Sequence, residues 1–211
     1  MNLVFLGPPG AGKGTAAGKL ALQGMVPHVS TGDLFRRAVA AQTAVGAEVR
    51  AVLQRGDLVP DELTIGLVRE RLSQEDARAG FILDGFPRTL AQAEALEGIA
   101  RIDAVVYFDL CDAEIVRRLS GRRVCETCER VFHVEDVPPR TPGVCDACGS
   151  ALRQREDDRV EVIEKRLAVF RSQTEPLVAY YEEGGLLRRV DSSGQPHETY
   201  AQVARYVHGC L

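Results

Sequence analysis

Residues 7–15 read GPPGAGKGT, directly after the apolar run NLVFL at 2–6. The apolar run has the pattern of a buried strand. Glycines at 7, 10 and 12 free the following backbone to turn its N–H groups inward, and a helix is expected from about Lys13. The stretch is close to G-x-x-x-x-G-K-[ST], in which amides at a helix N-terminus hold phosphate oxygens and the lysine reaches the β- and γ-phosphates. It departs in one place, since Gly14 separates Lys13 from Thr15. The alternative is a glycine-rich strand-to-helix turn that holds no ligand, and its position at the first βα junction disfavours that.

Similar apolar runs recur at 81–84 (FILD) and 104–109 (AVVYFD), with weaker ones from Val26 to Val29 and Leu186 to Val190. Each leads into a helical pattern. The fold class expected is therefore α/β, a five-stranded parallel sheet flanked by helices. Two segments do not fit that frame. Residues 30–59 carry two helical stretches, and 122–158 carry four cysteines, three prolines and little apolar periodicity. Both read as insertions, with 1–29, 60–121 and 159–211 forming the core. The stretch 159–183 reads as helical, with Pro176 as a kink or interruption.

The net charge of −4 argues against a general nucleic-acid or anionic-membrane binder, so any anion site must be built locally. No apolar run reaches the roughly 18 residues of a membrane span, and no basic segment precedes Leu3 as in a secretory signal. A cytoplasmic protein is expected, and there paired cysteines more often hold metal than form disulfides. Cys125-x2-Cys128 and Cys145-x2-Cys148 are separated by sixteen residues, 129–144, the spacing of a four-thiolate zinc site. Such a site is closed, so the metal would be structural. Disulfides and a free-standing zinc ribbon that binds nucleic acid are the alternatives; Glu126, Glu129, Glu135 and Asp136 disfavour the ribbon. Cys111 and Cys210 read as bystanders, and the four histidines fit no nucleophile constellation.

STGDLFR at 30–36, DGFPRT at 84–89, GRR at 121–123 and REDD at 155–158 complete a pattern with the loop. Together they resemble the adenylate kinase family in its bacterial long-lid form, over nearly the whole chain. Gly14 matches that family's own loop. The resemblance implies a monomer that uses ATP, AMP and ADP, with magnesium accompanying ATP. It implies that Gly10, Ala11, Gly12, Lys13, Gly14 and Thr15 hold the ATP phosphates, that Arg118 stacks on the ATP base, and that the Gln195 carbonyl meets it. Thr31, Arg36, the backbone of Asp57, Leu58 and Val59, Gly85, Arg88 and Gln92 would contact AMP, with Gln92 reading the adenine edge. Arg122, Arg155 and Arg166 would surround the transferring phosphoryl group, the last two also reaching AMP.

Asp84, at the end of an apolar run, stands where a magnesium-holding carboxylate belongs, although a strand-end Asp is commonly a turn residue. Arg118 and Arg122, spaced i, i+4, are expected on one helix face. Gly121 and Gly143 are possible aids to lid mobility. The acceptor expected is a phosphate monoester, largely dianionic at neutral pH, so the reaction needs charge neutralisation more than a general base. A closing lid would supply arginines and exclude water. Two other functions stay open at this point: a kinase of another nucleoside monophosphate, and a nucleotide switch without turnover.

Overall fold

The computed structural model describes residues 1–24 and 26–208; Cys210 lies outside them. In chain order the elements are β1 (Asn2–Leu6), α1 (Lys13–Leu22), β2 (His28–Ser30), α2 (Thr31–Ala40), α3 (Ala44–Gln54), α4 (Asp61–Leu72), β3 (Phe81–Asp84), α5 (Leu90–Glu97), β4 (Ala104–Asp109), α6 (Asp112–Ser120), β5 (Arg122–Cys125), β6 (Val131–His133), β7 (Leu152–Arg153), α7 (Val160–Val169), α8 (Leu177–Glu183), β8 (Leu187–Asp191) and α9 (Pro196–His208). The weak run from Val26 shortens to a strand from His28, and the one from Leu186 shifts by one residue to Leu187–Asp191.

Five strands form one parallel sheet in the order β2-β3-β1-β4-β8. Strand β1 is central, so both its faces must be buried. Leu3 and Phe5 pack to one side with Ile82, Val106, Phe108 and α1, while Val4 and Leu6 pack to the other with Leu83, Val105, Tyr107 and α5. That is why β1 is continuously apolar rather than alternating. Each such side chain contributes about 1.5–3 kcal/mol on burial. From β1 the chain passes to β2 and β3 on one side, then to β4 and β8 on the other. The strand order therefore reverses at the C-terminal end of β1, where α/β sheets open a ligand crevice.

The segments that did not fit the sheet pattern stand off it. Helices α2 and α3 share a small core of their own, around Phe35, Val49 and Val59. The cysteine segment folds into a three-stranded antiparallel sheet, β6-β5-β7, over Cys125, Phe132, Cys145 and Leu152. Its strands were not legible because they are two to four residues long.

One local expectation needs correction. Arg118 and Arg122 do not share a helix face, because α6 ends at Ser120 and Arg122 opens β5. Between them stands Gly121, where a Cβ would meet His133 Nε2 at 2.1 Å. Only glycine admits the ring there, so the residue is explained by close packing. In 159–183 the chain is helical on both sides of a break that ends at Pro176, the residue that precedes α8. The helix is interrupted ahead of Pro176 by a π-type turn, Phe170–Thr174, in which the Glu175 amide donates to the Phe170 carbonyl at 2.8 Å. Such turns often mark functional positions, and this one brings the Thr174 hydroxyl to the Arg88 carbonyl at 2.8 Å. Among the described residues, no helix is long and apolar enough to cross a membrane.

Candidate active site

The loop between β1 and α1 takes positive φ at Gly7, Gly10 and Gly12, 142°, 83° and 91°. Side chains rarely adopt these values. At Gly7 a Cβ would also meet the Phe108 carbonyl at 2.6 Å, so the loop lies tight against β4. Helix α1 starts without a side-chain cap and without an acid in its first turn. Its free N–H groups and positive dipole end are thus left to an anion. Lys13 Nζ donates to the Gly7 and Pro8 carbonyls, both at 2.7 Å. Burial pulls its pKa down to about 8, against the pull of Asp84 and with the repulsion of Arg88, Arg166 and Arg122.

Asp84 ends β3 in register with Phe5 and Ser30. Burial would raise its pKa, but a 3.3 Å contact with His28 Nε2 and the charge of Lys13 outweigh it and hold the carboxyl below its usual range. The departure at Gly14 has its reason here: a Cβ on that residue would stand 3.2 Å from Asp84 Oδ2. A serine or threonine would crowd the carboxylate, and Thr15 follows one place later.

A cleft of about 1360 Å³ contains the loop, Asp84 and the arginines 36, 88, 118, 122, 155 and 166, together with Gln195. Burial and mutual repulsion depress Arg88 and Arg155 to about 10, Arg166 being the largest repulsive neighbour of the first and Arg36 of the second. Arg88 and Arg155 sit in no ion pair among the described residues, so their charge is unfavourable there until an anion enters. Arg122 is steadied by Asp158, which has no exposed surface, through a bidentate fork at 2.8 and 2.6 Å. Arg166 is held chiefly by Asp157, donating to its carbonyl at 2.9 Å and meeting its carboxylate at 3.1 Å, and reaches Asp158 Oδ1 at 3.5 Å.

Beside the cleft lies a smaller pocket lined by Thr31, Asp57, Leu58, Val59, Gly85, Arg88 and Gln92. Every residue expected at the AMP base or its edge is gathered there. The Gly85 carbonyl accepts from the Thr31 hydroxyl at 2.9 Å and from Arg88 Nε at 2.8 Å, which fixes both side chains. Arg88 lines the pocket and the cleft alike. Arg36, on α2, pairs with Asp33 at the cleft wall.

A family model described as adenylate kinase matches residues 5–186. The adenylate kinase of Treponema denticola is 54% identical over 192 residues, covering 91% of this chain and 92% of the relative. That of Thermosipho africanus is 50% identical over 198 residues, 92% of each chain. That of Exiguobacterium sibiricum is 49% identical over 214 residues, 99% of this chain and all of the relative. The chain belongs to the adenylate kinase family.

Arg118, which the adenylate kinase pattern puts at the ATP base, links α6 to the loop before α9. It donates to Glu114 at 2.7 Å and to the Ser193 and Gly194 carbonyls at 3.3 and 3.2 Å. The Gln195 carbonyl, expected to face the ATP base, accepts from the Glu198 and Thr199 amides as the opening of α9. A ligand there must share that acceptor with the helix.

The four cysteine sulfurs lie within 4.8 Å of one another, with Cys125–Cys148 at 3.4 Å and Cys128–Cys145 at 3.5 Å. Those separations are far beyond the ~2.05 Å of a disulfide and near the ~3.8 Å edge of a tetrahedron with 2.3 Å metal–sulfur bonds. The two knuckles are built alike. The Glu129 amide donates to the Cys125 carbonyl and the Gly149 amide to the Cys145 carbonyl, both at 2.9 Å. Glu129 and Gly149 take left-handed φ of 59° and 74°. The donor set fits a thiophilic ion such as zinc.

Several site residues carried no signal in the sequence. Asp158 lay within the REDD stretch, but nothing in its spacing marks it as the anchor of two arginines. His28 and Asp61 reach their partners, Asp84 and Gln92, only through the fold.

Proposed function

We propose that this enzyme reversibly transfers the terminal phosphoryl group of ATP to AMP, giving two ADP. The observation that carries the reading is that Arg88 is the cation among the residues that line both the phosphate cleft and the small pocket. A donor on the Gly10–Thr15 loop and an acceptor base between Thr31 and Gln92 would bring their phosphates together at Arg88. No side chain needs to act as base, because the acceptor is already a dianion at neutral pH. The chain's task is to offset repulsion between two polyanions and hold them in line. Lys13 would bridge the β- and γ-phosphates. Arg88, Arg122, Arg155 and Arg166 would stabilise charge on the transferring group, with Arg36 on the acceptor phosphate.

Magnesium bound with ATP would neutralise phosphate charge beside the loop, held through water by Asp84, whose depressed pKa suits that task. Zinc on Cys125, Cys128, Cys145 and Cys148 would be structural, since four thiolates leave no open position. We take 30–59 as an AMP-binding insertion and 122–158 as a lid, both moving on a core of 1–29, 60–121 and 159–211. Closure of the lid would bring in Arg122 and Arg155 and exclude water. We take the enzyme to be a cytoplasmic monomer with no nucleic-acid or membrane partner, in keeping with its net charge of −4.

The test is ADP formation from MgATP with AMP, CMP, UMP or GMP. AMP should give the highest kcat/KM. A higher value for any other monophosphate would assign the pocket to that base, and no turnover with any of them would overturn the kinase reading.

A further inference from the structure

Gln92 has 1% of its surface exposed and lines the small pocket, yet its amide is already held from two sides. Its Oε1 accepts from the Arg88 backbone amide at 2.8 Å, and its Nε2 donates to Asp61 Oδ1 at 2.7 Å. The other Asp61 oxygen accepts from the Thr89 hydroxyl at 2.9 Å, and Thr89 caps α5 by accepting from the Gln92 amide at 3.2 Å. A carboxylate only accepts and a backbone N–H only donates. The amide therefore cannot exchange its oxygen and nitrogen: the nitrogen must face Asp61 and the oxygen must face Arg88. One N–H and one lone pair remain for a ligand, in a fixed order.

We propose that Asp61 is a specificity-positioning residue, which together with the Arg88 N–H sets the polarity of the Gln92 amide so that the pocket accepts an adenine edge and rejects a hypoxanthine edge. Adenine offers a ring acceptor next to an amino donor. Hypoxanthine offers a ring N–H next to a carbonyl, the same two positions with donor and acceptor exchanged. An amide free to rotate by 180° could serve either edge, whereas a locked one serves only the first. Asp61 also ties the start of α4 to α5. Loss of that tie alone would weaken every monophosphate equally, so the ratio between the two bases separates the roles.

The inference rests on the AMP reading of the pocket, which wild-type kinetics with AMP and IMP test first. An enzyme without AMP turnover would sink that reading rather than this one. In an active enzyme, Asp61→Asn removes the acceptor-only partner and leaves the Arg88 N–H alone to hold the order of the Gln92 amide. We expect the ratio of kcat/KM for AMP over IMP to fall about 3- to 10-fold, below the scale of a fully misread base contact because Arg88 still favours the native order. KM for AMP should rise while kcat changes less than about three-fold. Asp61→Glu, which still only accepts, should recover most of the ratio. Should Asp61→Asn not fold, Asp61→Ser, smaller than aspartate and able to donate, carries the same test. An unchanged ratio, or equal losses with both monophosphates, would overturn the proposal.

Discussion

Arg37 on α2 donates to Glu129 in the first cysteine knuckle at 2.9 Å, so the two segments that stand off the sheet touch each other across the cleft. Both side chains are more than half exposed, 67% and 55%. Pairs of that kind are worth about 0.2–1 kcal/mol. Glu129→Gln should therefore shift the balance between touching and separated segments by at most about five-fold, and about 1 M salt should erase the difference. Energy transfer between one dye on α3 and one on the cysteine segment measures this. A larger shift, or one insensitive to salt, would show that Glu129 does more than pair with Arg37.

Asp158 is expected to matter more, because it is itself fully buried and its arginine partners are mostly covered. Removing one member of a buried ion pair costs about 3–5 kcal/mol. At about 2–4 °C per kcal/mol for a chain of this size, Asp158→Ala should lower Tm by roughly 6–20 °C. It should also lower kcat on the order of 10²-fold, as Arg122 and Arg166 lose their fixed positions. Calorimetry and steady-state kinetics at a temperature where the variant is folded check both. Normal kcat in the folded variant would remove Asp158 from the account.

Much of this site was legible in the sequence, and the limit is physical. Gly7, Gly10, Gly12 and Lys13 are adjacent in the chain, and local backbone geometry alone dictates their use. The cysteine quartet was legible because metal geometry fixes its spacing. The bonds from Asp61 to Gln92, His28 to Asp84 and Asp158 to Arg122 span 31, 56 and 36 residues. Each joins residue types that are ordinary on any surface, so only the fold makes them specific. The i, i+4 pairing of Arg118 and Arg122 failed for the converse reason. Spacing predicts a shared face only while the helix continues, and here α6 stops at Ser120 before Arg122 opens β5.

Lys13 links the site to pH. In the free enzyme its pKa is lowered to about 8. Bound phosphates would raise it again, so the complex holds more protons than its parts between pH 8 and the higher bound value. Nucleotide binding should take up protons in that range, and affinity should fall as pH rises through 8. Titration calorimetry at pH 8–9 in two buffers of different ionisation enthalpy reads the uptake directly. The account expects uptake approaching one proton that disappears in Lys13→Met; equal uptake in the two proteins would contradict it.

Structure and catalysis should separate at the cysteines. We expect about one zinc per chain by elemental analysis. The cysteine segment buries only Cys125, Phe132 and Cys145 in its own small core, too little to hold it without metal. Stripping the ion, or changing Cys128 and Cys148 to Ser, should lower Tm yet leave most turnover at low temperature, since Lys13, Arg88 and Asp84 lie elsewhere. Protein grown with ample zinc but containing none would remove the structural claim. Complete inactivity of a folded, stripped enzyme would remove the claim that zinc is only structural.

The central claim is that the phosphoryl group passes from ATP to AMP and not to water. Chromatographic quantification of all three adenine nucleotides over time tests it most directly. With MgATP and AMP, two ADP should appear for each ATP consumed, without free phosphate, and Lys13→Ala should slow this on the order of 10²-fold or more. ATP consumed equally fast without AMP, with release of phosphate, would contradict the account.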